Sequence, residues 1–217
     1  MHVVVVSSSE LDASDGALLG EADLVIAADG GARSLDLVGR QPDVVVGDLD
    51  STDASLVRRL EAAGVRIERH PADKEASDTE LAIEAANAAG ATGVVMIGAI
   101  GGQRADHELA NLLLLCDPGL AGHDLRVVRG GTCVRALHAG AQLTLAGSIG
   151  DLVSLLPVGG DAGGVTTDGL RWPLAAATLR MGRSRGLSNE IVAALASVQI
   201  STGTLLVIET AARAAHG

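Results

Sequence analysis

Residues 43–51 read Asp43-Val44-Val45-Val46-Gly47-Asp48-Leu49-Asp50-Ser51, a β-branched run that ends in a glycine and two closely spaced aspartates. Such a run is strand-like, and in an open parallel sheet ligands bind beyond the carboxyl ends of the strands. Asp48 and Asp50 follow the strand and stand two residues apart, so in extended chain both carboxylates project to one side. This stretch therefore predicts an α/β fold and marks the place in it where chemistry would sit.

Working outward, the same texture fills the chain to about Cys116. Strand candidates at 3–7, 24–28, 43–46, 65–69 and 94–97 alternate with Ala/Leu-rich stretches of helical period, which points to βαβ units and a parallel sheet. Residues 54–63 read as a helix closed by Gly64, and 78–89 as one closed by Gly90. Ser77-Asp78-Thr79-Glu80 matches a capping box, with Ser77 as N-cap and Asp78 in the first turn, where the helix dipole favours a carboxylate.

From about Asp124 short strands with turn signals take over, at 125–129, 134–138, 142–145, 151–156, 164–167, 177–181, 197–200 and 204–208. The expected fold is an α/β domain with a Rossmann-like parallel sheet over 1–123, followed by an all-β sandwich domain over 124–217. Gly130-Gly131 and Gly159-Gly160 are expected as hairpin turns, since no helix follows either pair.

Composition narrows the chemistry. The 217 residues include no Phe, no Tyr and one Trp, so the core must be built from Val, Leu, Ile and Ala, and Trp172 offers the one extended aromatic face. Sixteen basic against 27 acidic residues give a net charge of −11, which argues against a nucleic-acid partner. If phosphates bind here, cations must mediate. No apolar run approaches a membrane span and the start lacks a secretory pattern, so no membrane partner and a cytoplasmic location are expected. Cys116 and Cys133 lack CxxC spacing and read as reduced thiols without an assigned role.

Three acidic segments qualify as a site. Asp29 precedes Gly30-Gly31, which let the backbone turn sharply and approach a ligand; Asp48 and Asp50 follow a strand; Asp78 opens a helix. Mg²⁺ takes oxygen ligands and is commonly held by one or two carboxylates plus substrate phosphates. The plainer reading makes them turn and N-cap residues, which suits Asp29 alone better than the pair at 48 and 50. A fourth segment, from Gly98 through Gly101-Gly102-Gln103-Arg104 to Asn111, is a glycine-rich strand-to-helix junction. Its backbone N–H groups could receive phosphate and Arg104 could add a charged fork, with His107 and Asn111 on one helical face. Neither a Rossmann GxGxxG nor a Walker A loop occurs. Lys74 could reach phosphate oxygens or stand on the surface between Asp73 and Glu75.

In order, Ala28-Asp29-Gly30-Gly31-Ala32, Gly47 to Ser51, Lys74-Glu75-Ala76-Ser77-Asp78 and Arg104-Ala105-Asp106-His107 with Asn111 resemble the motif series of the thiamine pyrophosphokinase family. The resemblance continues through Thr167-Asp168-Gly169-Leu170-Arg171-Trp172-Pro173-Leu174, Ser188-Asn189-Glu190 and the closing strand Gly203 to Ile208. It implies transfer of the β,γ-diphosphate of ATP to the hydroxyl of thiamine, giving thiamine diphosphate and AMP, in a homodimer with interface active sites. It further implies Asp48, Asp50 and Asp78 around Mg²⁺ and the triphosphate, with Asp29 nearby, and Lys74 is counted with the three as a catalytic candidate. Asp29, Gly30, Gly31, Ser51, Arg104, Asp106, His107 and Asn111 would form the nucleotide site, and Trp172, Ser188 and Asn189 the thiamine pocket. The chain departs from the family pattern at Glu75, Ser77 and Gln103, which stand for Asp, Thr and Gly. Two rivals are a diphosphokinase for another alcohol such as a hydroxymethylpterin, and a non-catalytic thiamine sensor. The segments around Trp172 and Ser188-Asn189 speak against the first, and the full set of acidic motifs against the second.

Overall fold

Valine-rich runs become the buried strands of a parallel sheet. The computed structural model describes residues 1–50, 52–73 and 75–212. In chain order the first elements are β1 (His2–Val6), α1 (Asp15–Glu21), β2 (Leu24–Ala28), α2 (Gly31–Leu37), β3 (Val44–Gly47), α3 (Ala54–Ala62), β4 (Arg66–Arg69), α4 (Asp78–Ala88), β5 (Gly93–Ile97), α5 (Ala105–Leu114) and β6 (Asp124–Arg129). The strands lie in the order β4-β3-β2-β1-β5-β6 and every neighbouring pair is parallel. Val4 stands opposite Val25 on one side and Val95 on the other, and Val3 to Val6 are all buried. Burial on both faces is why these strands read as continuous apolar runs rather than alternating ones. Strand order reverses between β1 and β5, so the carboxyl ends of these two strands flank a switch point.

The helix signals hold in detail. Ser77 Oγ accepts the Glu80 N–H at 3.2 Å while Glu80 Oε2 accepts the Ser77 N–H at 2.7 Å, completing the capping box. Gly64 and Gly90 each follow their helix with φ +85°, the left-handed conformation a side chain would resist. Helices α1 and α2, which sequence reading did not delimit, are seven residues each, too short for a clear apolar period.

Two compact units result, Met1–Leu114 with His123–Gly130, and Leu115–Gly122 with the chain from Gly131 onward. The strand expected to open the β-rich half, β6, pairs parallel with β5 and belongs to the first unit. Gly130-Gly131 is a turn, as expected.

The second unit is antiparallel: β7 (Thr132–His138), β8 (Gln142–Thr144), β9 (Leu152–Asp168), β10 (Ala177–Leu179), β11 (Asn189–Glu190), β12 (Ser197–Gln199) and β13 (Thr202–Thr210). Two separate strands were expected between 151 and 167, but β9 runs unbroken through them and Gly159-Gly160 is not a hairpin turn. Val158 faces Thr204 whereas Gly163 faces Thr202, so the glycines, at φ +74° and +156°, span a register shift. They bend the strand without reversing it. Beyond the shift β9 pairs with β10 and β12. An aliphatic core including Leu155, Val165, Leu179, Ile191, Val198 and Leu205 holds the unit together. The buried Glu209 carboxylate pairs with Arg135 and accepts the Ala146 and Gly147 N–H groups at 2.7 and 2.9 Å.

Candidate active site

Three carboxylates converge at the carboxyl edge of the parallel sheet. Asp29 immediately follows β2, Asp48 immediately follows β3, and Asp78 is the first residue of α4. One oxygen from each lies within 4.8 Å of the others; Asp29 is buried and Asp48 and Asp78 are half-buried. Asp29 thus stands beside two other carboxylates rather than alone in its turn. Asp50, expected as a metal ligand beside Asp48, is exposed and lies outside this group, which holds Asp29 instead. Ser51 and Lys74 fall outside the described residues.

The backbone shapes the site. Asp29 has φ +38° and Leu49 φ +65°, both unusual for residues with side chains, and Gly47 has φ +147°. A Cβ on Gly47 would lie 3.0 Å from both Asp29 Cβ and Asp78 Oδ1, so the absent side chain makes room for the carboxylates. Leu49, 8% exposed, is anchored in the core and holds the loop in its left-handed turn. Sustained conformations of this kind cost about 1–3 kcal/mol each and gather at functional sites. The Asp29 N–H donates to Val46 O at 2.8 Å, Asp48 Oδ1 accepts the Asp50 N–H at 3.1 Å, and Thr52 Oγ1 donates to Asp29 Oδ1 at 3.2 Å. Ser7, at the end of β1, shares a buried hydrogen bond of 3.1 Å with Thr79, next to Asp78. A Cβ on Gly31 would stand 1.9 Å from Val6 O, which is why glycine must start α2 against the end of β1. Gly30, its N-cap, is buried in the same turn.

The glycine-rich junction is pinned from three sides. Asn111 Nδ2 donates to Ala99 O at 2.9 Å, Arg129 Nη1 donates to Ile100 O, and the Ser9 N–H donates to Gly98 O at 3.0 Å. Gly101 and Gly102 make room for the Arg129 guanidinium and Ser9 Oγ, which would stand 2.0 and 2.5 Å from added Cβ atoms. Asn111 is buried while His107, four residues earlier, is exposed, so the two do not present one face to a ligand here. Arg104 forms a two-pronged pair with Asp106, at 2.9 and 2.6 Å, with both side chains exposed. That guanidinium holds the Asp106 carboxyl well below the usual carboxylate range. Ser7, Ser9, Thr52, Thr79 and Arg129 were missed by sequence reading. Only Ser7 and Arg129 carried a usable signal, their position at strand carboxyl ends. A separate concavity of about 350 Å³ in this unit is lined by Leu11, Asp15, Leu19 and Val38 and by none of the three clustered carboxylates.

In the antiparallel unit, Trp172 is 60% exposed and is no core residue. Asn189 holds it by the backbone: Oδ1 accepts the Trp172 N–H at 3.1 Å and Nδ2 donates to Trp172 O at 2.8 Å. The Arg171 guanidinium lies 5.9 Å from the ring centroid and pairs with Glu190 at 2.8 Å. Ser188, at φ +55°, is exposed and its N–H donates to Ser154 Oγ at 3.0 Å. The structure thus brings Trp172, Ser188 and Asn189 together on one unit, with Asn189 turned to the chain rather than to solvent.

The converging carboxylates of the α/β unit and the exposed ring of the antiparallel unit are two places where a ligand could bind. Residues 16–128 match the family description "Thiamin pyrophosphokinase, catalytic domain" and residues 142–207 match "Thiamin pyrophosphokinase, vitamin B1 binding domain". The chain belongs to the thiamine pyrophosphokinase family. It is 26% identical over 190 residues to the thiamine pyrophosphokinase of Bacillus subtilis (strain 168), covering 88% of each chain. It is 29% identical over 182 residues to thiamine pyrophosphokinase 2 of Oryza sativa subsp. japonica, covering 77% of this chain and 65% of that one. The crystal structure of the Bacillus subtilis enzyme shares the fold with a TM-score of 0.85 at 22% identity, over 97% of this chain and 99% of that one.

Proposed function

We propose that this chain transfers the diphosphate of ATP to the hydroxyl of thiamine, releasing AMP and thiamine diphosphate, with Mg²⁺ held at the carboxylate group. The observation that carries this is the convergence of Asp29, Asp48 and Asp78 within 4.8 Å. Three carboxylates so close repel one another, and a hard divalent cation with an all-oxygen donor set suits them. Ligand oxygens about 2.1 Å from an octahedral Mg²⁺ stand roughly 3–4 Å apart, so small side-chain adjustments would suffice. When bound, the ion would neutralise charge on the phosphates. Asp50 serves the same site from the exposed part of its loop, and Lys74 and Ser51 take the phosphate-side roles that the family resemblance implies.

The chain's own part is positioning. Gly101, Gly102 and Arg104 present donors to the nucleotide, and Asp106 holds the guanidinium until a phosphate competes for it. Asp29, Gly30, Gly31, His107 and Asn111 complete the nucleotide side, Asn111 by fixing the junction. The hydroxyl oxygen of thiamine bonds to the β-phosphorus as the α,β-bridge breaks to AMP, and the hydroxyl proton passes to a neighbouring carboxylate or water.

Trp172 packs its face on the cationic vitamin, where cation–π attraction adds to dispersion, and Asn189 and Ser188 shape the loop around it. The negative net charge favours approach of a cation. This reading takes the first unit, Met1–Leu114 with His123–Gly130, as a Rossmann-like catalytic domain and the second unit as a vitamin-binding sandwich, in a cytoplasmic homodimer. The match to a vitamin B1 binding domain disfavours a pterin substrate, and the carboxylate group disfavours a pure sensor.

Product analysis tests the proposal. Incubation with ATP, Mg²⁺ and thiamine should yield AMP in equal amount to thiamine diphosphate, and neither without thiamine. Formation of ADP instead would overturn it. Asp50→Asn should abolish turnover with the fold intact; wild-type turnover would remove Asp50 from the site.

A further inference from the structure

The geometry points to a second phosphate site, built wholly within the antiparallel unit: Arg180, Arg183 and Arg185 form a receptor for a polyphosphate anion. The local chain explains how three guanidines come together. Along β10 the buried Leu179 points inward, so Thr178 and Arg180 face outward on the same side. A turn at Met181-Gly182, with Gly182 at φ +75° and the Arg183 N–H on Arg180 O at 3.2 Å, folds the chain back. Arg183 and Arg185 again alternate, and Gly186 then ties the segment down by accepting the Leu155 N–H at 2.8 Å. The four side chains Thr178, Arg180, Arg183 and Arg185 line one concavity of about 390 Å³.

Its charge is what calls for a ligand. Residues 177–187 contain three arginines and no acid, in a chain whose net charge is −11. Among the described residues none of the three is in an ion pair, whereas Arg59, Arg66, Arg69, Arg104, Arg135 and Arg171 each have a carboxylate. The nearby Asp161 carboxylate is taken by the Met181 N–H at 2.9 Å. Guanidinium groups are donors only, five N–H each, and their planar fork matches phosphate oxygens two at a time. The Thr178 hydroxyl adds one more donor. A di- or triphosphate chain offers three forks more oxygens and more charge than a single phosphate does. Because Arg185 is three residues before Ser188, a bound anion would also order the segment that leads to Ser188-Asn189.

The test is calorimetric titration of the full chain with inorganic pyrophosphate in EDTA, which removes divalent metal from the carboxylate site. Wild type should bind pyrophosphate and ATP, with AMP at least tenfold weaker. The triple variant Arg180→Ala, Arg183→Ala, Arg185→Ala should lose the binding, and the double variant Arg183→Lys, Arg185→Lys should weaken it about tenfold by losing the fork. Asp48→Asn should bind pyrophosphate like wild type, which separates this site from the proposed metal site. Unchanged binding in the arginine variants, an equal response to sulfate at matched ionic strength, or AMP binding as tight as pyrophosphate would each overturn the assignment. If the triple variant fails to fold, the lysine variant alone decides.

Discussion

The two candidate sites are held in place by different means. At the carboxylate group the backbone sets the geometry: strand ends aim Asp29 and Asp48, Gly47 leaves room, and left-handed turns at Asp29 and Leu49 are secured by burial. Around Trp172 a side chain sets it, with the Asn189 amide bracketing the backbone of an exposed ring. In the first arrangement several buried backbone positions set the geometry together. The second depends on one residue and can be loosened without touching the core. A site for a small, hard ion demands the former, since a displacement of an ångström ruins coordination, whereas a stacked ring tolerates some play.

Breaking the carboxylate group should have the largest effect. Asp78→Asn is expected to lower Mg²⁺-dependent turnover by roughly hundredfold to thousandfold while leaving the circular dichroism spectrum unchanged. Gly47→Ala tests the backbone argument without removing a charge. The new Cβ meets Asp78 Oδ1 and Asp29 Cβ at 3.0 Å and sits at a conformation that glycine favours. It should cost about 1–3 kcal/mol in urea unfolding and most of the activity. Wild-type activity in that variant would show that the carboxylates do not need the space.

Asn189→Ala addresses the other region. Two hydrogen bonds to Trp172 are lost, which should cost about 1–2 kcal/mol and raise KM for thiamine about tenfold while KM for ATP stays unchanged. Trp172→Ala should show the same split, because in the proposed function the ring rather than the amide meets the vitamin. If either variant raised KM for ATP alone, the division of labour between the regions would be wrong.

The smallest effect concerns an acid outside the group. Asp15 is buried, its Oδ2 accepts the Asp12 N–H at 2.6 Å, and its Oδ1 has no hydrogen-bond partner among the described residues. Burial pushes its carboxyl up from the ordinary range. The folded chain therefore keeps this proton to higher pH than the unfolded chain does. Stability is then lost as pH rises from the unfolded carboxylate pKa through the folded one. Asp15→Asn should raise the thermal midpoint at pH 7, with the gap closing toward about pH 4.

Much of the parallel unit was legible because its central strands β1, β2, β3 and β5 are buried on both faces and two of its helices carry end signals. The Ser77 box and the glycines at 64 and 90 stand where the pattern put them. The switch from β5 to β6 was not legible, because a parallel edge strand and the first strand of a β-rich domain have the same local texture. Gly159-Gly160 reads as a turn, yet here it bends a strand, and only pairing partners distinguish the two. The acidic site was half legible. Position after a strand singled out Asp48 and the helix start singled out Asp78, but which further carboxylate stands closest depends on how β2 packs, and it is Asp29 rather than Asp50. Asn189 carried a family signature, but its grip on the Trp172 backbone spans 17 residues that no motif encodes.

The central claim is that the carboxylate group holds the metal on which transfer depends. Thiamine-dependent AMP release measured against Mg²⁺ concentration, in wild type and in Asp48→Asn, tests it most directly. The account predicts a saturable Mg²⁺ requirement in wild type, and in the variant a half-saturation at least tenfold higher with a much lower maximum. An identical Mg²⁺ curve in the two proteins would contradict it.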